Sequence, residues 1–128
     1  MLFDGVLDTL DQLRSSGVKL AVATGKSRNG LDKALEATGL KPYFDIERCA
    51  DETRSKPDPL MLEQIADHFA VSPTKMFMVG DTEYDLDMAA RFGMGSVGVS
   101  YGVHDISRLN KHKPLKIVDH ISEILALI

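Results

Sequence analysis

The chain has 128 residues and a mass of 14.1 kDa, enough for one domain with its own core, and we expect residues 1–128 to form a single unit. Its 15 basic and 19 acidic residues give a net charge of −4, which argues against binding nucleic acid or a membrane surface through charge. The apolar runs are far shorter than the ~20 residues needed to span a bilayer. The first residues lack the basic and apolar regions of a secretion signal, and the single cysteine excludes an internal disulfide. These features predict a cytoplasmic protein.

Apolar stretches of strand length alternate with helical patterns along the chain. The predicted strands cover 19–24, 76–80 and 95–100, with weaker candidates at 116–118 and 44–49. This alternation is typical of right-handed βαβ units, so we predict an α/β fold: a three-layer, Rossmann-like parallel sheet with helices on both faces. In such sheets ligands bind beyond the carboxyl ends of the strands, and candidate site residues are therefore sought there.

The predicted helices carry recognisable signals at their ends. They cover 5–16, 27–38, 58–69, 85–92 and 121–128. Ser27 is expected to cap the second helix, and Asp58 the third, with Pro59 at its first helical position. Gly39 and Gly93 are expected to end the second and fourth helices in the left-handed conformation.

The segment Thr24-Gly25-Lys26-Ser27 follows the first predicted strand. A hydroxyl, a glycine and a helix N-terminus together offer an O–H and free backbone N–H groups, which suit a phosphate. The alternative is that Ser27 only caps the helix and Gly25 only eases the turn. A nucleotide-binding P-loop is excluded, because Leu20 stands where that motif needs its first glycine.

Two aspartates follow the strand predicted over 76–80. Asp81 comes directly after the strand, and Asp85 lies in the first turn of the next helix, so both carboxylates can reach the same point. Carboxylates placed there suit a hard cation such as Mg²⁺. The alternative makes Asp81 a loop residue and Asp85 a charge favoured by the helix dipole.

Lys56 stands before Pro57, which restricts its backbone to extended conformations. The ammonium is thus held by a stiff segment, although such a lysine can also be a solvated surface charge. A hydroxyl, a cation and a carboxylate pair beside strand ends of one parallel sheet form a set that holds a phosphoryl group and its magnesium ion.

Three segments carry a family resemblance: AVATGKS, SKPDP and MVGDTEYDLDMAARFG. They resemble the second, third and fourth motifs of the haloacid dehalogenase-like hydrolases, and within them the phosphoglycolate-phosphatase-like proteins. The resemblance implies that Thr24 and the Gly25 N–H bind the phosphoryl group of a small phosphorylated metabolite and that Lys56 stabilises its charge. It also implies that Asp81 ligates Mg²⁺ and that Asp85 supports the metal site. The family's chemistry is attack on phosphorus by an aspartate, followed by hydrolysis of the aspartyl-phosphate.

The family's first motif, D-x-D-G-T-L-x-D-T, is not matched convincingly. Residues 2–9 imitate it, but Leu2 takes the place of the nucleophile and Val6 that of threonine, so we interpret the likeness around Asp4 as accidental. The chain is then expected to be a truncated core without its first strand and cap, with little or no turnover and weak binding of Mg²⁺. One hypothesis is a phosphatase core that receives its nucleophile from another segment. The other is a non-catalytic relative that binds phosphate, Mg²⁺ or a partner.

A sheet without its middle strand leaves two strands with unpaired edges, and such edges invite pairing with other segments. We therefore expect a homodimer or a strand-swapped association, unless the sheet closes up or recruits the N-terminal segment.

Cys49 is expected to be a small core residue. The histidines lack the spacing of metal ligands and are expected to face solvent or to lie at helix ends: His68, His104, His112 and His120.

Overall fold

A computed structural model of the chain describes residues 5–128, so Leu2 and Asp4 of the imitated motif lie outside the described residues. Within that range the chain forms five strands, each within two residues of its predicted bounds. They are β1 (Ala21–Thr24), β2 (Ile46–Cys49), β3 (Phe77–Gly80), β4 (Gly95–Val99) and β5 (Lys116–Val118).

Five α-helices and four 3₁₀ helices occur in residues 5–128. The α-helices are α1 (Val6–Ser15), α2 (Arg28–Thr38), α3 (Leu60–Phe69), α4 (Glu83–Phe92) and α5 (Ile106–Asn110). The 3₁₀ helices are Lys41–Tyr43, Ala50–Glu52, Pro73–Lys75 and Ile121–Leu127. The short α5 was not predicted, and the helix predicted at the C-terminus is 3₁₀ rather than α.

The predicted ends of α2 and α4 are confirmed. Ser27 Oγ accepts the Gly30 N–H at 3.1 Å, which satisfies one of the free donors of the first turn. Gly39 and Gly93 follow the two helices with φ of 70° and 79°, a conformation in which other residues are strained.

The start of α3 differs by one residue from the prediction. Pro59 is the N-cap residue, with non-helical ψ of 4°, and the helix begins at Leu60. The Asp58 carboxylate accepts the Leu60 N–H at 3.0 Å, so the aspartate forms a local turn just before the cap. Asp58 therefore supports the helix start, but it does not occupy the cap position that we expected.

All strand pairs are parallel, but they form two sheets instead of one. The first pairs β1 with β2, from Ala21 opposite Ile46 to Thr24 opposite Cys49. The second has the order β3-β4-β5. Within residues 5–128 no backbone hydrogen bond joins β1 to β3. The described strands thus keep the split expected for a sheet without its middle member.

Two apolar clusters on opposite faces of the strands give the three layers that we predicted. On one face, α3 and α4 cover side chains from both sheets, among them Ala21, Ala23, Ile46, Met76 and Met78. On the other face, α1 and the C-terminal 3₁₀ helix cover a second set, among them Leu20, Phe77, Val79, Val97 and Val118. The two sheets therefore share the layer formed by α3 and α4 although their backbones do not pair.

Burial is uneven across the strands. Every residue of β1 is only half-buried, as are the first three of β3, whereas β4 is buried from Ser96 to Val99. In a sheet covered on both faces the middle strands are normally the most buried. The low burial therefore marks β1 and β3 as incompletely covered.

No helix in residues 5–128 combines the length and the apolar character needed to cross a membrane.

Candidate active site

Four of the five predicted site residues line one cavity. It lies at the carboxyl ends of β1 and β3, has a volume of about 390 Å³, and includes Gly25, Lys56, Asp81 and Asp85 in its wall. Ala50, Ser55, Thr82 and Tyr84 complete the lining. Residues up to 60 positions apart in sequence thus meet because parallel strands bring their carboxyl ends to the same edge.

Lys56 is paired with Asp85. Its ammonium donates a hydrogen bond to Asp85 Oδ1, and the exposed fractions of the two side chains are 17% and 6%. The lysine is therefore a fixed, largely buried cation and not the solvated surface charge considered as its alternative. A buried charge pair holds its geometry because neither partner can lose the other without a large desolvation cost.

The second oxygen of Asp85 serves the helix that carries it. Oδ2 accepts the Thr82 hydroxyl at 3.0 Å and the Thr82 N–H at 3.3 Å, while Thr82 Oγ1 accepts the Asp85 N–H at 3.2 Å. This reciprocal arrangement is a capping box at the start of α4. Both carboxylate oxygens of Asp85 are thus occupied, one by Lys56 and one by Thr82.

Asp81 is held by residues of the loop that follows β4. Its Oδ2 accepts the Val103 N–H at 3.1 Å, and its carbonyl oxygen accepts the His104 N–H at 3.1 Å. No hydrogen bond or ion pair to Oδ1 is found within residues 5–128, so this oxygen can still bind a ligand. A sign of this contact in the sequence is Gly102, which lies in the loop after β4, but a glycine by itself indicates no chemistry.

Gly80 is required by the packing between the end of β3 and α4. A Cβ atom there would lie 2.4 Å from Asp85 Cβ, closer than two non-bonded carbon atoms can approach. The missing side chain allows α4 to begin directly behind the strand. The G-D sequence of the motif thus brings the Asp81 and Asp85 side chains to one cavity.

The end of β1 forms the opposite wall. Thr24 itself is not part of the cavity lining, and its Oγ1 accepts the Lys26 N–H at 3.1 Å. The hydroxyl proton of Thr24 remains available as a donor. Gly25, which does line the cavity, has open space on its Cβ side.

Charge and chemistry make this cavity suitable for Mg²⁺. The ion prefers oxygen ligands and is usually bound by one or two carboxylates together with water and substrate phosphate. Asp81 offers Oδ1, whereas the two oxygens of Asp85 already have partners. The described residues therefore fit Mg²⁺ through Asp81, with Asp85 in a supporting position and few protein ligands in all.

A second acidic group lies at the end of β2 and contacts Arg28. Ligand atoms of Cys49, Asp51 and Glu52 lie within 4.8 Å of one another. Arg28 pairs with Glu52 at 2.8 Å, and its backbone N–H donates to Asp51 at 3.1 Å. The hydrogen bond from Arg28 holds the pKa of Glu52 below its usual value, so the carboxylates of this group belong to an ion-pair network with Arg28.

Comparisons with known proteins give the family of the chain. Residues 1–99 match the family model of the haloacid dehalogenase-like hydrolases. The Probable phosphatase IndB of Dickeya dadantii is 38% identical over 126 residues, covering 98% of this chain and 55% of that protein. The phosphoglycolate phosphatase of Escherichia coli is 32% identical over 127 residues, covering 97% of this chain and 50% of the enzyme.

The fold is also found in solved structures. A crystal structure described as a predicted phosphoglycolate phosphatase from Haemophilus somnus superimposes with a TM-score of 0.93 at 28% identity, covering 99% of this chain and 57% of that one. The chain belongs to the haloacid dehalogenase-like hydrolase family. It is similar to the phosphatases of that family and spans about half the length of the curated relatives that it matches.

Proposed function

We propose that the chain is the core of a Mg²⁺-dependent phosphomonoesterase that acts on a small phosphorylated metabolite. The observation that supports this proposal is the meeting of Gly25, Lys56, Asp81 and Asp85 around one cavity of about 390 Å³. A cavity of that volume accommodates a small molecule. The similarity to phosphatases of the same family supports the reaction class.

Each residue has a role that its position allows. The Thr24 hydroxyl and the Gly25 N–H would donate to the oxygens of the transferring phosphoryl group. Lys56 would stabilise the negative charge on those oxygens, and Asp85 keeps its ammonium in place. Asp81 would hold Mg²⁺, which when bound neutralises charge on the phosphoryl group.

The nucleophile is proposed to come from a segment other than the described residues. Its carboxylate oxygen forms a bond to phosphorus as the bond to the alcohol oxygen breaks, and the second aspartate of the D-x-D sequence in that segment gives the leaving alcohol its proton. Water then attacks the phosphorus and gives a proton back to this second aspartate, which releases orthophosphate and restores the nucleophile. In residues 5–128 the carboxylates of the cavity wall are Asp81 and Asp85, and both already have other roles.

The space between β1 and β3 is the place proposed for that segment. An extended, apolar strand inserted there would give both strands the backbone partner that they lack in residues 5–128, and would end at the cavity. We propose that it belongs to the same longer protein. A homodimer or strand-swapped pair is the alternative, and sedimentation would then show a species of twice 14.1 kDa.

The decisive experiment supplies this segment separately. The chain is assayed with an aryl phosphate and Mg²⁺, alone and with a synthetic peptide in which an apolar strand precedes D-x-D-G-T-L. Turnover is expected only with the peptide, and it should be lost with Lys56→Met or Asp81→Ala in the chain. Lys33→Met, a change on the exposed face of α2, is the matched control and should leave turnover intact.

Other results would contradict the proposal in distinct ways. Turnover by the chain alone that is abolished by Asp4→Asn would assign the nucleophile to Asp4. Turnover that survives both Asp4→Asn and Asp81→Ala would remove the site assignment. If the peptide binds and phosphate binds but no turnover follows, the chain is a non-catalytic relative that binds phosphate or a partner. The cytoplasmic location stays a prediction from composition.

A further inference from the structure

The loop between β4 and α5 contacts Asp81 at three points. The Val103 N–H donates to its carboxylate, and the His104 N–H donates to its carbonyl oxygen, each at 3.1 Å. Gly102 lies so close that a Cβ atom there would be 2.0 Å from Asp81 Cβ. Three consecutive residues thus constrain the carbonyl oxygen, the carboxylate and the Cβ atom of Asp81.

His104 also connects this loop to the start of α4. Its imidazole Nδ1 accepts the Glu83 N–H at 2.9 Å, and its ring packs edge-on against Tyr84 with 5.4 Å between centroids. The residue is 8% exposed, so its ring is buried between the loop and the helix instead of facing solvent. Its backbone fixes Asp81, and its side chain fixes the helix that carries Asp85.

We propose that His104 is a positioning residue, which together with the backbone of Gly102 and Val103 holds the Asp81 carboxylate in the orientation that binds Mg²⁺. The inference rests on the proposed function for the identity of the ion. The Val103 N–H occupies Oδ2, and this leaves Oδ1 to the cation. Groups that orient a metal ligand in this way commonly affect metal affinity strongly although they never touch the ion.

The test separates positioning from a purely structural role by comparing two histidines. His120 Nδ1 likewise accepts a backbone N–H, that of Ser122 at 3.2 Å, at the start of the C-terminal 3₁₀ helix. Isothermal titration of the 128-residue chain with Mg²⁺ should show about tenfold weaker binding for His104→Leu. His120→Leu should lose stability but keep the affinity. His104→Asn, whose amide oxygen can accept the Glu83 N–H, should restore most of it.

Gly102→Ala tests the same contact without touching the histidine. Its new methyl group must displace Asp81, and Mg²⁺ binding should again weaken about tenfold. If His104→Leu does not fold, Gly102→Ala tests the part that the loop backbone plays, and His104→Asn tests the part that the histidine plays. An unchanged affinity in both His104→Leu and Gly102→Ala would overturn the proposal.

A second measurement needs no metal. Amide hydrogen exchange followed by NMR should show the Val103 N–H protected in the parent chain, about tenfold less protected in His104→Leu, and unchanged in His120→Leu. Equal protection in all three would overturn the positioning role. If the parent chain binds no Mg²⁺ but Val103 exchange responds as expected, the proposed ion is wrong while the support of Asp81 by His104 stands.

Discussion

Lys56 and Asp85 lie 29 residues apart and form a buried ion pair at the wall of the cavity. The pair joins the loop before α3 to the first turn of α4, where Asp85 also completes a capping box. One carboxylate therefore stabilises a helix end and orients the cation that faces the cavity. The interpretation of Asp85 as a charge at a helix start is confirmed by the capping box, whereas its support of a metal site stays a prediction.

Removing one partner of the Lys56–Asp85 pair should lower the free energy of unfolding. We expect Lys56→Met to destabilise the chain by about 3–5 kcal/mol, because it leaves the Asp85 carboxylate buried without its counter-charge. Urea unfolding followed by circular dichroism measures the change. Lys33→Met, on an exposed position of α2, should have little effect. Equal free energies of unfolding for both variants would show that the pair contributes no stability.

Gly80 should tolerate no side chain. Gly80→Ala places a methyl carbon 2.4 Å from Asp85 Cβ, so either the strand end or α4 must shift. We expect a loss of about 1–3 kcal/mol in the free energy of unfolding, typical of overpacking. Gly25→Ala is the matched control for stability, because its Cβ would point into open space, and its urea midpoint should stay close to that of the parent chain.

Acid should weaken the chain partly through Glu47. Burial alone would raise the pKa of Glu47, but hydrogen bonds from Lys41 and Arg28 outweigh it and hold that pKa below its ordinary value of 4.5. A carboxyl group whose pKa is lowered by folding contributes stability above its unfolded pKa, and this contribution is lost as the pH falls through the folded pKa. Glu47 should therefore contribute fully above pH 4.5 and progressively less below it.

The measurement is the thermal midpoint between pH 3 and pH 7 for the parent chain and for Glu47→Gln. The variant should be less stable at neutral pH and should lose less on acidification, since its amide does not titrate. Glu36→Gln, an exposed position on α2, should follow the parent curve. Parallel curves for Glu47→Gln and the parent would rule out a contribution of this group to the acid response.

Cys49 should be chemically inert in the folded chain. Its side chain is fully buried in the cluster formed with Leu31, Leu35 and Leu40, and burial raises the pKa of its thiol. Alkylation by iodoacetamide should be slow in buffer and fast in urea, as mass spectrometry can follow. A Ser16→Cys variant adds an exposed thiol as an internal control, which should react fully in buffer while Cys49 does not. Rapid loss of both thiols in buffer would contradict the burial of Cys49.

Much of the fold could be predicted from local patterns. The strand bounds, the Ser27 cap and the left-handed Gly39 and Gly93 follow from properties of a few neighbouring residues, such as apolar periodicity and backbone sterics. The short α5 was missed because it offers a single buried residue, Leu109, and so has almost no periodicity. The position of the candidate site could also be predicted, because parallel topology brings the carboxyl ends of the strands to one edge.

The partners of the site residues could not be predicted in this way. That Asp85 binds Lys56, that His104 supports Asp81, and that β1 and β3 remain unpaired within residues 5–128 depends on which segments pack together. The amino-acid order determines each element through interactions within a few residues. Pairing between distant groups is decided by the packing of the whole chain. A buried charge or polar atom is costly without a partner, and packing determines which neighbouring element supplies that partner.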